Sequence, residues 1–135
     1  MQTLVTFIFK FLAALPLAWL HKLGNLLGSL GFRLLSKDRR RVFENMTLAG
    51  LNPTDEAVKK VFRETAKGGL ELPVAFFRRP EEIENLFVSV NGWEHVQTAL
   101  SAGEGLLFIT PHIGSYDLAG RYISQQLPFP LTAMY

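Results

Sequence analysis

Gly105-Leu-Leu-Phe-Ile-Thr-Pro-His-Ile-Gly-Ser-Tyr-Asp-Leu-Ala-Gly-Arg-Tyr122 is the stretch whose reading decides the fold. Leu106 to Ile109 is a short apolar run, which predicts a buried strand ended by Thr110 and Pro111. Past Gly114 and Ser115 the spacing turns helical, with Leu118, Tyr122 and Ile123 on one side and Asp117 and Arg121 on another. Upstream, Trp93 to Ala102 predicts a helix with Val96, Ala99 and Leu100 inward and Gly103 as its C-cap. Asn91-Gly92 predicts a turn, and Leu86-Phe-Val-Ser-Val90 a second strand. Strand, helix and strand in this order make a β-α-β unit with parallel strands and a right-handed crossover. The expected fold class is α/β, the start of a mixed sheet.

In that fold His112 stands just beyond the carboxyl end of a strand, where ligands of open α/β sheets bind, and Asp117 lies in the first turn of the next helix. A serine nucleophile would need Gly-x-Ser-x-Gly, but Gly114 directly precedes Ser115. One histidine, one aspartate and no cysteine are too few ligands for zinc. The phosphate-loop pattern is absent. The basic runs lack interleaved aromatics, and nothing else in the sequence suggests nucleic acid, so no nucleic-acid partner is expected. Two readings of His112 stay open. It is a general base acting on a hydroxyl, with Asp117 fixing its tautomer, or a strand-end histidine whose ring caps the following helix.

The chain of 135 residues is 48% hydrophobic and holds eleven phenylalanines, more than the core of a small soluble domain can take up. Some of that surface should meet lipid or other protein. The absence of cysteine excludes disulfides, a thiol nucleophile and thiolate metal sites. Residues 3–20 are apolar except for Lys10 and the threonines, with Pro16 as a kink. They read as a membrane anchor or in-plane helix, a buried core helix, or a signal segment. From His21 to Ser36 the pattern is amphipathic, and Gly24, Gly28 and Gly31 allow close helix contact, on the N-terminal helix or at a bilayer. The net charge of +2 says little, but Lys37, Arg39, Arg40 and Arg41 cluster directly after this region. They suit an anionic leaflet, or a solvated turn. The expected organisation is a membrane-associated helical region, 1–36, followed by an α/β domain, 37–135.

Within the second region Thr54, Asp55 and Glu56 signal a helix start. Gly68-Gly69 marks a close approach or a break, and Pro73 a bend or interruption, before Arg79-Pro80 ends the pattern. Phe76 and Phe77 either pack as scaffold or line an acyl groove. Glu81, Glu82 and Glu84 read as a solvated helix start.

The apolar N-terminus, the Arg-rich stretch ending at Asn45, the Asn-Gly-Trp-Glu-His segment at 91–95 and the His-x4-Asp of His112 and Asp117 resemble one family. It is the bacterial lipid A biosynthesis acyltransferases, of lauroyl and myristoyl type, within the lysophospholipid-acyltransferase-like superfamily. Many members have Asn-Trp-Glu where Ser115, Tyr116 and Asp117 stand, so the shorter acid is a departure. The resemblance implies O-acyl transfer from the acyl carrier protein thioester to a hydroxyl of a lipid A precursor. His112 would be the base and Asp117 its partner. Gly114, Ser115, Tyr116 and Arg121 would contact substrate, the amides of Ser115 and Tyr116 meeting an oxyanion or a phosphate. Arg121 would either pair with Asp117 or reach a lipid phosphate. No metal or cofactor is implied; the location implied is the cytoplasmic face of a bacterial inner membrane, with membrane lipid as a partner. A lysophospholipid acyltransferase carries the same motif, and a membrane-bound fragment without catalysis is a third reading. Pro128 to Tyr135 reads as a loop entering a further strand, and members run to roughly twice this length, so the chain is expected to be an N-terminal part, inactive alone.

Overall fold

The computed structural model describes residues 2–111 and 113–132, and their backbone is helical or irregular throughout. In chain order the helices are α1 (Gln2–Ala14), α2 (Leu17–Leu34), α3 (Ser36–Leu48), α4 (Asp55–Phe77), α5 (Pro80–Glu84), α6 (Trp93–Ser101) and α7 (Tyr116–Gln126).

The expected α/β class is overturned, because no strand and no sheet forms among the described residues. Residues 86–90 form turn and irregular backbone, with Val88 fully exposed. Residues 104–111 take no regular structure, and Leu107 and Ile109 face solvent. The described part of the expected last strand, 128–132, is irregular too. The physical reason is that a strand's backbone groups are satisfied only by a neighbouring strand, so an apolar run states a tendency that pairing must complete. A helix satisfies its own backbone, and α6 forms where the sequence predicts it, opened by the left-handed turn at Gly92 and followed by Gly103 at φ +71°.

The described residues group into two compact units, Met1–Arg78 and Arg79–Tyr135. The first is organised by α2 and α4. Thr54 caps α4 as expected, its hydroxyl accepting from the Ala57 amide at 3.2 Å, with Asp55 and Glu56 in the first turn. The helix then runs unbroken through Gly68-Gly69 and through Pro73, which is buried. A Cβ at either glycine would meet nothing within 4 Å among the described residues. The close approach is at Gly24 and Gly28 instead. A Cβ at Gly24 would lie 2.9 Å from the Lys67 Cα, and one at Gly28 would overlap the Arg63 backbone. Their partner is thus α4 rather than the N-terminal helix. The helices are antiparallel: His21 meets Glu71, Gly24 meets Lys67, Gly28 meets Arg63 and Gly31 meets Phe62. The Arg63 Nε donates across to the Ser29 hydroxyl at 2.9 Å. Lys67 holds its ammonium on Glu64 at 2.8 Å, which keeps that exposed carboxyl below the usual carboxylate range.

Glu71 is 8% exposed and lies 2.6 Å from the Nε2 of His21, fifty residues earlier. A buried carboxylate without a partner is costly, so this contact matters more than the exposed ion pairs elsewhere. Glu71→Gln is expected to cost about 1 kcal/mol, since the amide keeps a hydrogen bond, and Glu71→Ala about 2 kcal/mol. Urea unfolding measures both. Midpoints equal to the parent's would mean that the pair does not hold the helices together.

Pro16 ends the N-terminal helical run and caps α2, so residues 3–20 divide into two helices. No single described helix is long and apolar enough to cross a membrane; Thr3–Ala14 and Leu17–Leu34 pass that test only as a pair bent by 116°. Arg78 secures the break. Its guanidinium donates to the carbonyls of Ala13 at 2.9 Å and Leu15 at 2.6 Å, which α1 leaves open at its end. Phe77 meets Phe9 edge-on with ring centroids 6.3 Å apart, while Phe76 is exposed. Outside these contacts α1 and α2 leave Leu4, Phe7, Phe11, Trp19, Leu26, Leu30 and Leu34 bare.

In the second unit α5 packs on α7. Glu82 closes the start of α5, its carboxylate accepting from the Arg79 amide at 3.0 Å. Tyr122 of α7 stacks on Phe87, centroids 4.4 Å apart, and takes Trp93 edge-on at 6.3 Å. Ile83, Leu118 and Leu127 are the buried apolar residues here.

Candidate functional site

The turn into α7 carries the expected site. The Ile113 amide donates to the Pro111 carbonyl at 2.8 Å, and Gly114 follows at φ +67°. A Cβ at Gly114 would meet nothing, so it is the backbone conformation that calls for glycine there. Ser115 is the N-cap position of α7, but its side chain does not cap; the hydroxyl is shielded from water and makes no hydrogen bond among the described residues. Asp117 falls in the first turn, at the positive end of the helix dipole. His112 lies outside the described residues, so its distance to Asp117 is not defined.

Asp117 is half-buried, and its carboxylate takes no hydrogen bond or ion pair among the described residues. Arg121 follows one turn later. The helix-surface pair weighed for these two does not form. Instead the Arg121 Nε is buried without a partner among the described residues, and so is the Nε2 of Gln125, one turn further on. Asp117, Arg121 and Gln125 stand at i, i+4 and i+8, one row along α7 about 12 Å long. A buried donor left unpaired costs about 1–3 kcal/mol, and native proteins keep few of them. Both of these donors stand in the row that Asp117 begins. Gln125 was not among the residues expected from sequence; its signal is the same spacing of four that links Asp117 to Arg121. Tyr116 is half-exposed and Gly114 exposed, at the head of the row.

The family model described as bacterial lipid A biosynthesis acyltransferase matches residues 1–135. No curated protein and no solved structure matches the chain.

Proposed function

From the chain's membership of the bacterial lipid A biosynthesis acyltransferase family, we propose that the protein carrying it moves a fatty acyl group from acyl carrier protein to a hydroxyl of a lipid A precursor. The observation that carries this is the family match across all 135 residues. The acyl-donor and lipid A-type acceptor are the family's; the carrier protein and the residue roles are the proposal. His112 takes the hydroxyl proton as the oxygen attacks the thioester carbonyl. The tetrahedral intermediate collapses with loss of the C–S bond, and the departing thiolate receives the proton from His112. Asp117 holds the imidazole in the required tautomer and stabilises its charged form. The turn Gly114–Ser115–Tyr116, at the N-terminus of α7, receives the oxyanion or a phosphate. Arg121 reaches an acceptor phosphate, for which its unpaired Nε is the support.

The reaction is placed at the cytoplasmic face of a bacterial inner membrane. The exposed apolar side chains of α1 and α2 and the basic residues 37–41 support contact with an anionic bilayer surface. The test supplies labelled acyl carrier protein thioester to membranes containing the natural polypeptide that carries residues 1–135. Label is expected in the lipid A precursor. Label in lysophospholipid instead would change the acceptor, and label in neither would remove the proposal.

A further inference from the structure

We propose that the cavity beside the first two turns of α3 is a seat for the phosphate of an anionic phospholipid. It has a volume of about 420 Å³ and is lined by Ser36, Lys37, Arg39, Arg40, Phe43 and Asp55. Three of the six are cations against one carboxylate, so the lining favours an anion. The cations are not equally engaged. Arg39 lies over the Phe32 ring, 5.2 Å from its centroid, and its Nη1 donates to the Phe32 carbonyl at 3.4 Å, which fixes the guanidinium in place. Arg40 faces Glu44 at 3.5 Å, but both side chains are largely in solvent and such a pair is readily exchanged. Lys37 makes no ion pair among the described residues. The cavity also sits at the start of α3, whose N-cap is Leu35 and whose first turn has no side-chain cap.

The surroundings point to a lipid rather than a free ion. Leu26, Leu30 and Leu34 form an exposed i, i+4, i+8 row on α2 that ends one residue before Leu35, the N-cap position of α3, and Leu35 and the cavity residue Phe43 are exposed too. An apolar row ending in a basic cavity matches an acyl chain ending in a phosphodiester. The inference rests on the bilayer contact proposed above, and it adds a discrete headgroup site to that contact.

The test measures binding of the chain to phosphatidylcholine vesicles that contain about a third of either phosphatidylglycerol or oleate, matched in surface charge. The unaltered chain is expected to prefer phosphatidylglycerol by about tenfold. Lys37→Gln with Arg40→Gln should abolish the preference while Arg39, packed on Phe32, keeps the site folded. Arg33→Gln with Arg41→Gln removes an equal number of charges from exposed positions outside the cavity and should weaken binding to both vesicles while leaving the preference intact. Equal preference in all variants, or none in the parent, would overturn the headgroup site and leave only diffuse attraction. No binding of the parent to any vesicle would remove the membrane contact itself. Saturable binding of inorganic phosphate without vesicles, lost in the Lys37 and Arg40 pair, would give the cavity to a free ion and overturn the lipid assignment.

Discussion

Asp117→Asn is expected to lower acyl transfer by about 10²–10³-fold while the helix it sits on stays folded. Asparagine keeps the size of the side chain but loses the charge that stabilises an imidazolium, and it can hold the wrong tautomer. In a serine-protease triad the equivalent swap costs ~10⁴-fold. The smaller loss here follows from the half-buried position of Asp117, where water screens part of the charge. His112→Ala should be at least as severe. Asp117→Glu should keep more activity than Asn, because it keeps the carboxylate charge. Ser115→Ala should be mild or neutral, since it removes a shielded hydroxyl that bonds to nothing among the described residues and caps nothing. Transfer rates compared at matched melting temperature decide the matter. A near-normal Asn variant, or a Ser115→Ala variant without activity, would remove the His–Asp base mechanism.

The largest expected loss of stability lies at the other end of the chain. Gly28→Ala should cost about 3 kcal/mol, the upper end for an added methyl group in a packed core, because the group it meets is the Arg63 backbone and cannot rotate away. Gly28→Leu should prevent α2 from docking on α4 altogether. Gly68→Ala, in the interior of α4, should raise stability by about 0.5–1 kcal/mol, since its Cβ meets nothing and alanine loses less backbone entropy on folding. The same substitution therefore has opposite signs at the two sites, and thermal melting followed by circular dichroism reads both. A Gly28→Ala protein that melts with the parent would mean that the helices are further apart than described.

These contrasts show what local sequence carries. The Thr54 cap, the turn at Asn91-Gly92, the helix from Trp93 and the helix start before Asp117 were all legible, because each depends on residues within one turn of one another. The strand at Leu106–Ile109 was not, because four apolar residues state a preference for burial and extension but not the presence of a partner. The spacing of Gly24 and Gly28 allowed a close contact, on the N-terminal helix or at a bilayer; that the contact is with α4 was not readable. The reach of Arg78 to Ala13 and Leu15 spans more than sixty residues, and no periodicity announces it. At the candidate site the Asp117 position was legible, and the unpaired donors of Arg121 and Gln125 were not, since a missing partner has no sequence signature.

The pairing of His21 with Glu71 also answers a question of alignment. Glycines four apart are a vernier with two settings. Gly24 meets Lys67 and Gly28 meets Arg63, so sliding α2 by one turn along α4 would bring Gly28 opposite Lys67 and Gly24 opposite Glu71, a glycine again standing opposite Lys67. Small residues alone would therefore admit two registers of similar packing. In the slipped one His21 would stand opposite Val74, which is fully buried, and the Glu71 carboxyl would lose the hydrogen bond it has with His21. The hydrogen bond thus does for this helix pair what a single polar residue does in a coiled coil: it makes one of two alignments the right one.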